Sequence, residues 1–198
     1  MGHFLQFGCG PHRLPEPWQN LDGSHDIRKR LRFDDDSVTA ILAEHVIEHV
    51  PFLQGFSFFR ECLRVLKPAG VLRIVFPDVG RFVSTYVDLR ERLQAGCIEF
   101  SPDALRYADR LAERPDMALP KGPPMARTRA AMTRMLTSWG HQMAWSRDSA
   151  AGSLLAAGFS RVRWCDYGEG DLAGIDGHHN DVGPELAKLE STILEAKK

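Results

Sequence analysis

The sequence predicts an α/β fold built on a doubly wound, mostly parallel sheet, and three observations predict it. Apolar runs of strand length recur at residues 4–7, 38–43 and 71–76, near-continuous as expected of strands covered on both faces. Amphipathic helical stretches follow the later two runs, a rhythm that implies parallel strands joined by right-handed crossovers. The first run ends abruptly in Gly8-Cys9-Gly10, at the carboxyl end of a strand, the edge where such sheets hold their ligands.

Composition bounds the class. A chain of 198 residues with 43% apolar content can bury one substantial core, so residues 1–198 are expected to form a single domain. The formal charge of −1 gives no reason to expect nucleic acid or an anionic membrane as partner. Cys9, Cys62, Cys97 and Cys165 are widely spread, with no Cys-x-x-Cys pair and no secretory leader before the first strand. They read as reduced thiols in a cytoplasmic protein. No apolar run approaches membrane-spanning length.

The first strand is Phe4-Leu5-Gln6-Phe7, and its glycines permit positive φ and close approach of a ligand to the backbone. An ordinary strand-to-turn glycine pair is the competing reading. A second short strand, Trp18-Gln19-Asn20-Leu21, ends in Asp22, and a carboxylate one strand further on is what a nucleoside site uses to accept both ribose hydroxyls. Pro11, Pro15 and Pro17 stand between them, so the crossover is a loop rather than a helix, since interior proline costs about 3 kcal/mol. Gly23 to Ile27 is too short for another helical crossover, which leaves the sheet abbreviated between its first strand and the one at 38–43. Asp26 and Ile27 offer a carboxylate for an exocyclic amine and an apolar surface for a purine; a solvated loop acid is the equal alternative.

Arg28 to Arg32 carries four basic residues in five and reads as a solvated face. The adjacent acids Asp34, Asp35 and Asp36 read as a solvated turn, and no metal site is assigned. The strand at 38–43 ends in Glu44-His45-Val46-Ile47-Glu48-His49. These are ionisable residues on the ligand-binding edge, read either as pocket wall or as polar caps on the sheet. His45 and His49 have metal-ligand spacing on a helix, but lack the third ligand that would make the pattern specific.

Phe52, Phe56, Phe59, Leu63 and Leu66 form an apolar stripe that predicts a helix, stopped by Pro68 and turned by Gly70. The strand at 71–76 follows, then a helix with Phe82, Tyr86, Leu89 and Leu93 on one face. Residues 97–145 break the rhythm with Pro115 to Pro124 and a basic stretch near 126–138. An irregular insertion this long is more often functional than idle, and it is a candidate lid. Asp148 or Ser149 is expected to cap a helix that Gly158 closes. Residues 159–164 alternate as a strand, and 191–196 read as a final strand running back through the sheet, with a terminal helix as competitor.

As a set, the motifs Leu5-Gln6-Phe7-Gly8-Cys9-Gly10, Trp18-x-Asn20-x-Asp22, Leu31-x-Phe33-x-Asp35-x-Ser37, Glu44-His45-Val46-Ile47-Glu48-His49 and Leu63-Arg64-Val65-Leu66-Lys67-Pro68-Ala69-Gly70-Val71-Leu72-Arg73-Ile74 resemble a small class I S-adenosylmethionine-dependent methyltransferase. The resemblance covers Phe4 to about Tyr86, then His141 to Trp164 and the final strand. It implies a Rossmann-like sheet of seven strands with one antiparallel member at the C-terminus, and S-adenosyl-L-methionine as cofactor. The methionine part would lie over Phe7, Gly8, Cys9 and Gly10, the ribose on Asp22 and Gly23, and the adenine near Asp26, Ile27 and Phe33. Ala43, Glu44 and His45 would stand near the sulfonium. The chain departs from the pattern at Gln6, Arg32, Thr39 and Ala69.

These readings predict an enzyme that methylates a small-molecule oxygen or nitrogen, with a second copy of the chain as a candidate partner. Methyl transfer is an in-line displacement in which positioning alone supplies about 7–11 kcal/mol, so no catalytic triad is expected. His45 is the best-placed proton acceptor, with His49 and His141 as alternatives. A degenerate cofactor-binding scaffold without methyl transfer is the rival reading. A nicotinamide dehydrogenase is disfavoured because Pro11-His12-Arg13 replaces the expected Gly-x-x-Gly continuation.

Overall fold

A computed structural model describes residues 2–21, 25–81, 83–84, 87, 133, 136–175 and 191–198. In chain order the elements are β1 (His3–Phe7), β2 (Trp18–Asn20), β3 (Val38–Glu44), a 3₁₀ turn (Ile47–His49), α1 (Phe52–Val65), β4 (Leu66–Pro77), α2 (Arg147–Ala157), β5 (Arg161–Cys165) and β6 (Ser191–Lys197). Among the described residues the strands form one six-stranded sheet in the order β2-β1-β3-β4-β6-β5, one strand short of the seven that the resemblance implies. β2, β1, β3 and β4 pair in parallel. β6 runs antiparallel to both its neighbours, the single reversed strand that the sequence predicts, so the terminal-helix alternative fails. Among residues 25–37 there is no strand, in keeping with the abbreviated connection.

α1 forms where the sequence predicts, but it buries a different face. Gly55, Phe58, Phe59, Cys62 and Val65 are its buried residues, whereas Phe52 is 42% exposed. The stripe read from the sequence was out of phase, because two apolar faces lie side by side on this helix. The face at i, i+3, i+4, i+7 and i+10 from Gly55 meets the sheet, with Phe58 edge-on to Phe7 at 5.3 Å. Phe52 instead lies against Trp145, ring centroids 5.4 Å apart. Gly55 makes room for that indole: a Cβ there would stand 3.1 Å from Trp145 Cζ2. Each of these buried aromatics contributes about 1.5–3 kcal/mol by leaving water.

Two boundaries also move. β4 starts at Leu66, directly after the helix, rather than at Val71; the irregularity falls opposite Val38–Ala40. Ala69 makes the bend with φ 62, a left-handed conformation that favours glycine. The cap of α2 is Ser146, ahead of the expected Asp148 or Ser149. Ser149 N–H donates to Ser146 Oγ (3.2 Å) and Ser146 N–H to Ser149 Oγ (2.9 Å), a reciprocal capping box. Gly158 closes the helix at φ 113, as predicted. The helix stripe expected at Phe82, Tyr86, Leu89 and Leu93, and the greater part of the 97–145 insertion, lie outside the described residues.

Within the sheet, β4 and β6 bring together a fully buried ion pair. Arg73 and Glu195 are register partners, with Arg73 Nη1 2.9 Å from Glu195 Oε1. Arg163 Nη2 donates to the other oxygen at 2.6 Å, and the Asp171 and Leu172 amides add bonds of 2.7 and 2.9 Å. Burial pushes the Glu195 carboxyl up, but the bonds from Arg163, these two amides and Arg73 outweigh it and hold the group below its usual value.

Candidate active site

β1 is the switch point of the sheet: β2 lies on one side of it and β3 on the other, the arrangement that opens a crevice at the carboxyl ends. Phe7 pairs with Ala43, so the glycine loop and the exit of β3 leave the sheet side by side. They touch through Gly8. A Cβ on Gly8 would lie 2.1 Å from Glu44 O and 2.6 Å from Val46 Cγ2, and its φ is +76. Only glycine fits there. Gly10 also has a left-handed φ of +46, yet a Cβ on it would meet nothing within 4 Å among the described residues. Gly8 is thus a packing glycine and Gly10 an open one, a cradle that suits an extended ligand laid over the backbone. The Phe7 and Cys9 side chains themselves point into protein, each 1% exposed.

The proline loop after Gly10 is held by two amides. Gln6 donates from Nε2 to His12 O (2.9 Å) and accepts from Leu14 N–H (2.9 Å). Asn20 pairs with the same Leu14 backbone, accepting its N–H and donating to its carbonyl, both at 3.0 Å. Gln6 is wholly buried; at this position an amide, which both donates and accepts, satisfies a loop where a crossover helix would satisfy itself. Leu21 N–H donates to Gln6 O at 2.9 Å, which carries the chain past β1 toward position 22. Asp22 and Gly23 lie outside the described residues.

Ile27 and Phe33 are partly buried against the core. The Phe33 ring stacks on His25 at 5.7 Å and tilts toward His3 at 5.4 Å. Asp26 accepts from Arg28 through both oxygens, at 2.8 and 2.9 Å. Those bonds lower its carboxyl to about 2, so the side chain is an ionised acceptor engaged with its own loop.

Beyond β3 the chain turns sharply. Ala43 and Glu44 are 1% exposed, and His45 has φ 49, a strained conformation for a non-glycine residue and one that collects at functional sites. His45 N–H donates to Val75 O at 2.9 Å. Its Nδ1 lies 3.1 Å from Glu48 Oε1. A buried carboxylate can only accept, so Nδ1 carries the proton and Nε2 is left as the basic nitrogen.

The 3₁₀ turn is tied to a segment far along the chain. Gln142 and Met143 both donate backbone N–H to Glu48 O (2.7 and 3.1 Å). Gln142 Nε2 donates to His49 O (2.9 Å), and the buried Trp145 Nε1 donates to Ile47 O (3.2 Å). The His49 and His141 rings meet edge to face, centroids 4.8 Å apart. The fold therefore brings His45, His49 and His141 to one neighbourhood, with Glu48 between them. Sequence reasoning assigned no role of its own to Glu48 within the ionisable stretch, counted Gln6 as a departure and Asn20 as a motif position, and left Gln142 unnoticed. A signal for Glu48 was its acid charge three residues after His45 at the end of a buried strand; Gln142 had none, since its partners lie 93 residues away.

The described residues contain no helix long and apolar enough to cross a membrane. Residues 23–74 match the family model described as a methyltransferase domain. No curated protein matches the chain. Among solved structures, a SAM dependent methyltransferase from Archaeoglobus fulgidus aligns over 100% of this chain and 86% of its own, at 13% identity and a TM-score of 0.50. A structure described as a possible exported protein from Bordetella parapertussis aligns over 100% of this chain and 62% of its own, at 15% identity and a TM-score of 0.50. Likeness at these identities is likeness of fold.

Proposed function

We propose that this chain is a class I S-adenosylmethionine-dependent methyltransferase and transfers the methyl group to an oxygen or nitrogen of a small molecule. The matched methyltransferase domain and the fold support this reading. The observation that carries the reading is the contact of the glycine loop with the β3 exit: Gly8 packs on Glu44 and Val46 while Gly10 stays open. That geometry supports reading the loop as a backbone cradle for the cofactor, beside His45. When bound, S-adenosylmethionine supplies a methyl group on a sulfonium whose departure leaves a neutral thioether. The chain's own residues do the positioning. Gly8, Cys9 and Gly10 hold the amino-acid part with backbone groups, and Asp22 with Gly23 receives the ribose. Ile27 and Phe33 offer apolar surface to the adenine, while Asp26 stands at its edge.

His45 takes the acceptor's proton at Nε2, and Glu48 fixes the tautomer that leaves this nitrogen basic, the role a carboxylate plays behind any catalytic imidazole. His49 and His141 flank it. The insertion at 97–145 covers the acceptor and sets its choice, its C-terminal end being stitched to the turn that bears His45 and Glu48. The protein works in the cytoplasm as one domain, with a homodimer as its expected assembly.

The test is a transfer assay with isotopically labelled S-adenosylmethionine and a panel of small hydroxyl and amine acceptors. Label appearing on one chemical class, at a rate that saturates with the acceptor, supports the reading. Tight cofactor binding with no transfer to any acceptor, together with a stable protein partner, would instead identify a scaffold.

A further inference from the structure

We propose that Glu48, His49 and His141 form a binding site for one divalent transition-metal ion, zinc matching the donor set best, which clips the turn after β3 to the segment at 138–145. One carboxylate oxygen and one nitrogen from each imidazole all lie within 4.8 Å of one another. Two imidazoles and a carboxylate, with a fourth position open, are a common ligand set for zinc. Sites for magnesium or calcium are built from oxygen donors instead.

Three features argue that the cluster is built rather than accidental. First, Glu48 is 2% exposed, and its Oε2 is buried with no hydrogen-bond partner among the described residues. A buried carboxylate oxygen left without a partner is costly, and a cation at the cluster would supply one. Second, the other oxygen, Oε1, is held by His45 Nδ1 at 3.1 Å, the outer hydrogen bond that orients a ligating carboxylate. Third, the backbone keeps the donors in register: Gln142 and Met143 bond Glu48 O, and Gln142 Nε2 bonds His49 O. Ligand bonds of about 2.0–2.1 Å at tetrahedral angles put donors about 3.3 Å apart. Both histidines are half-buried rather than locked in the core, so rotation about their side-chain bonds closes the remaining gap.

This inference rests on the methyltransferase reading only for what enters the fourth position, water or the acceptor's oxygen; ion binding stands by itself. The full chain, stripped by a chelator, is titrated with Zn²⁺ by calorimetry, and Co²⁺ is added separately to read ligand-field absorption. The expected result is one equivalent of Zn²⁺, a tetrahedral Co²⁺ spectrum, and a melting temperature that rises with Zn²⁺ as a ligand of the native state requires. His49→Ala and His141→Ala each weaken binding by about 100-fold or more, and the double variant binds none, while circular dichroism reports an unchanged fold. Glu48→Gln reduces affinity in the same direction, and its melting curve without metal separates folding from ligation. Binding weaker than about 100 µM, or an equivalent that survives in the His49→Ala/His141→Ala protein, would overturn the proposal. Titrating the same samples with S-adenosylmethionine keeps the two readings apart. Cofactor binding without a zinc equivalent sinks the metal site alone, and a zinc equivalent without cofactor binding sinks the methyltransferase reading alone.

Discussion

Two buried carboxylates, Glu195 within the sheet and Glu48 beyond the end of β3, show how differently one fold treats buried charge. Both are 2% exposed. Glu195 is saturated: Arg73, Arg163 and two backbone amides occupy its oxygens at 2.6–2.9 Å. Gly170 brings the loop so close that a Cβ there would stand 2.5 Å from the carboxylate. Glu48 has one oxygen on His45 and the other on nothing among the described residues. A saturated buried charge holds a fold together, whereas one with an unused oxygen, beside three histidines on the ligand edge, is arranged for chemistry.

The comparison predicts opposite consequences for losing each cluster. Glu195→Ala leaves Arg73 buried without its carboxylate and should lower unfolding free energy by about 3–5 kcal/mol, read by denaturant titration, with cofactor affinity unchanged in the fraction that remains folded. A loss under about 1 kcal/mol would mean that water reaches Arg73 and that the cluster is no keystone. His45→Ala should do the reverse. Transfer falls by about 100-fold or more, equivalent to ~2.7 kcal/mol in the barrier, while the fold is retained and cofactor affinity stays near that of the wild type. A variant at full rate would hand the proton to another group.

The smallest effect is on acid stability. Because the Glu195 pKa is depressed in the fold, its contribution is complete above the unfolded value near 4.5 and is lost as pH falls through the folded value. Unfolding free energy should therefore decline below about pH 4.5, by at most ~1.4 kcal/mol per pH unit from this one proton. Glu195→Gln should flatten that decline. An identical acid profile in the variant would assign acid sensitivity to the exposed pairs, such as Asp35 with Arg64.

The same contrast explains what the sequence could tell. The glycine loop, the β3 exit and the reversed final strand were legible because each depends on a few adjacent residues and on the period of a strand. The burial phase of α1 was not, since Phe52 and Phe56 carry as much hydrophobicity as Phe58 and Phe59, and the sheet, met through Phe7 against Phe58, decides between the faces. Ala69 looked like a departure from a glycine turn; its φ of 62 shows that the backbone still makes that turn. Arg73 with Glu195 and His49 with His141 were both out of reach. Their partners are 122 residues apart in the first case, and in the second meet where Gln142, Met143 and Trp145 bond the 3₁₀ turn.

The claim on which all of this depends is that the open glycine at the switch point is a cofactor cradle. Calorimetric titration of the wild-type chain with S-adenosylmethionine, its demethylated product and NAD tests it most directly, repeated with Gly10→Leu and Asp22→Ala. The account predicts binding of the first two and none of NAD. Gly10→Leu should abolish binding by filling the space above residue 10, and Asp22→Ala should weaken both ligands by roughly 1.5–3 kcal/mol, the worth of a charge-assisted pair of hydrogen bonds. Equal affinity in all three proteins, or a preference for NAD, would contradict it.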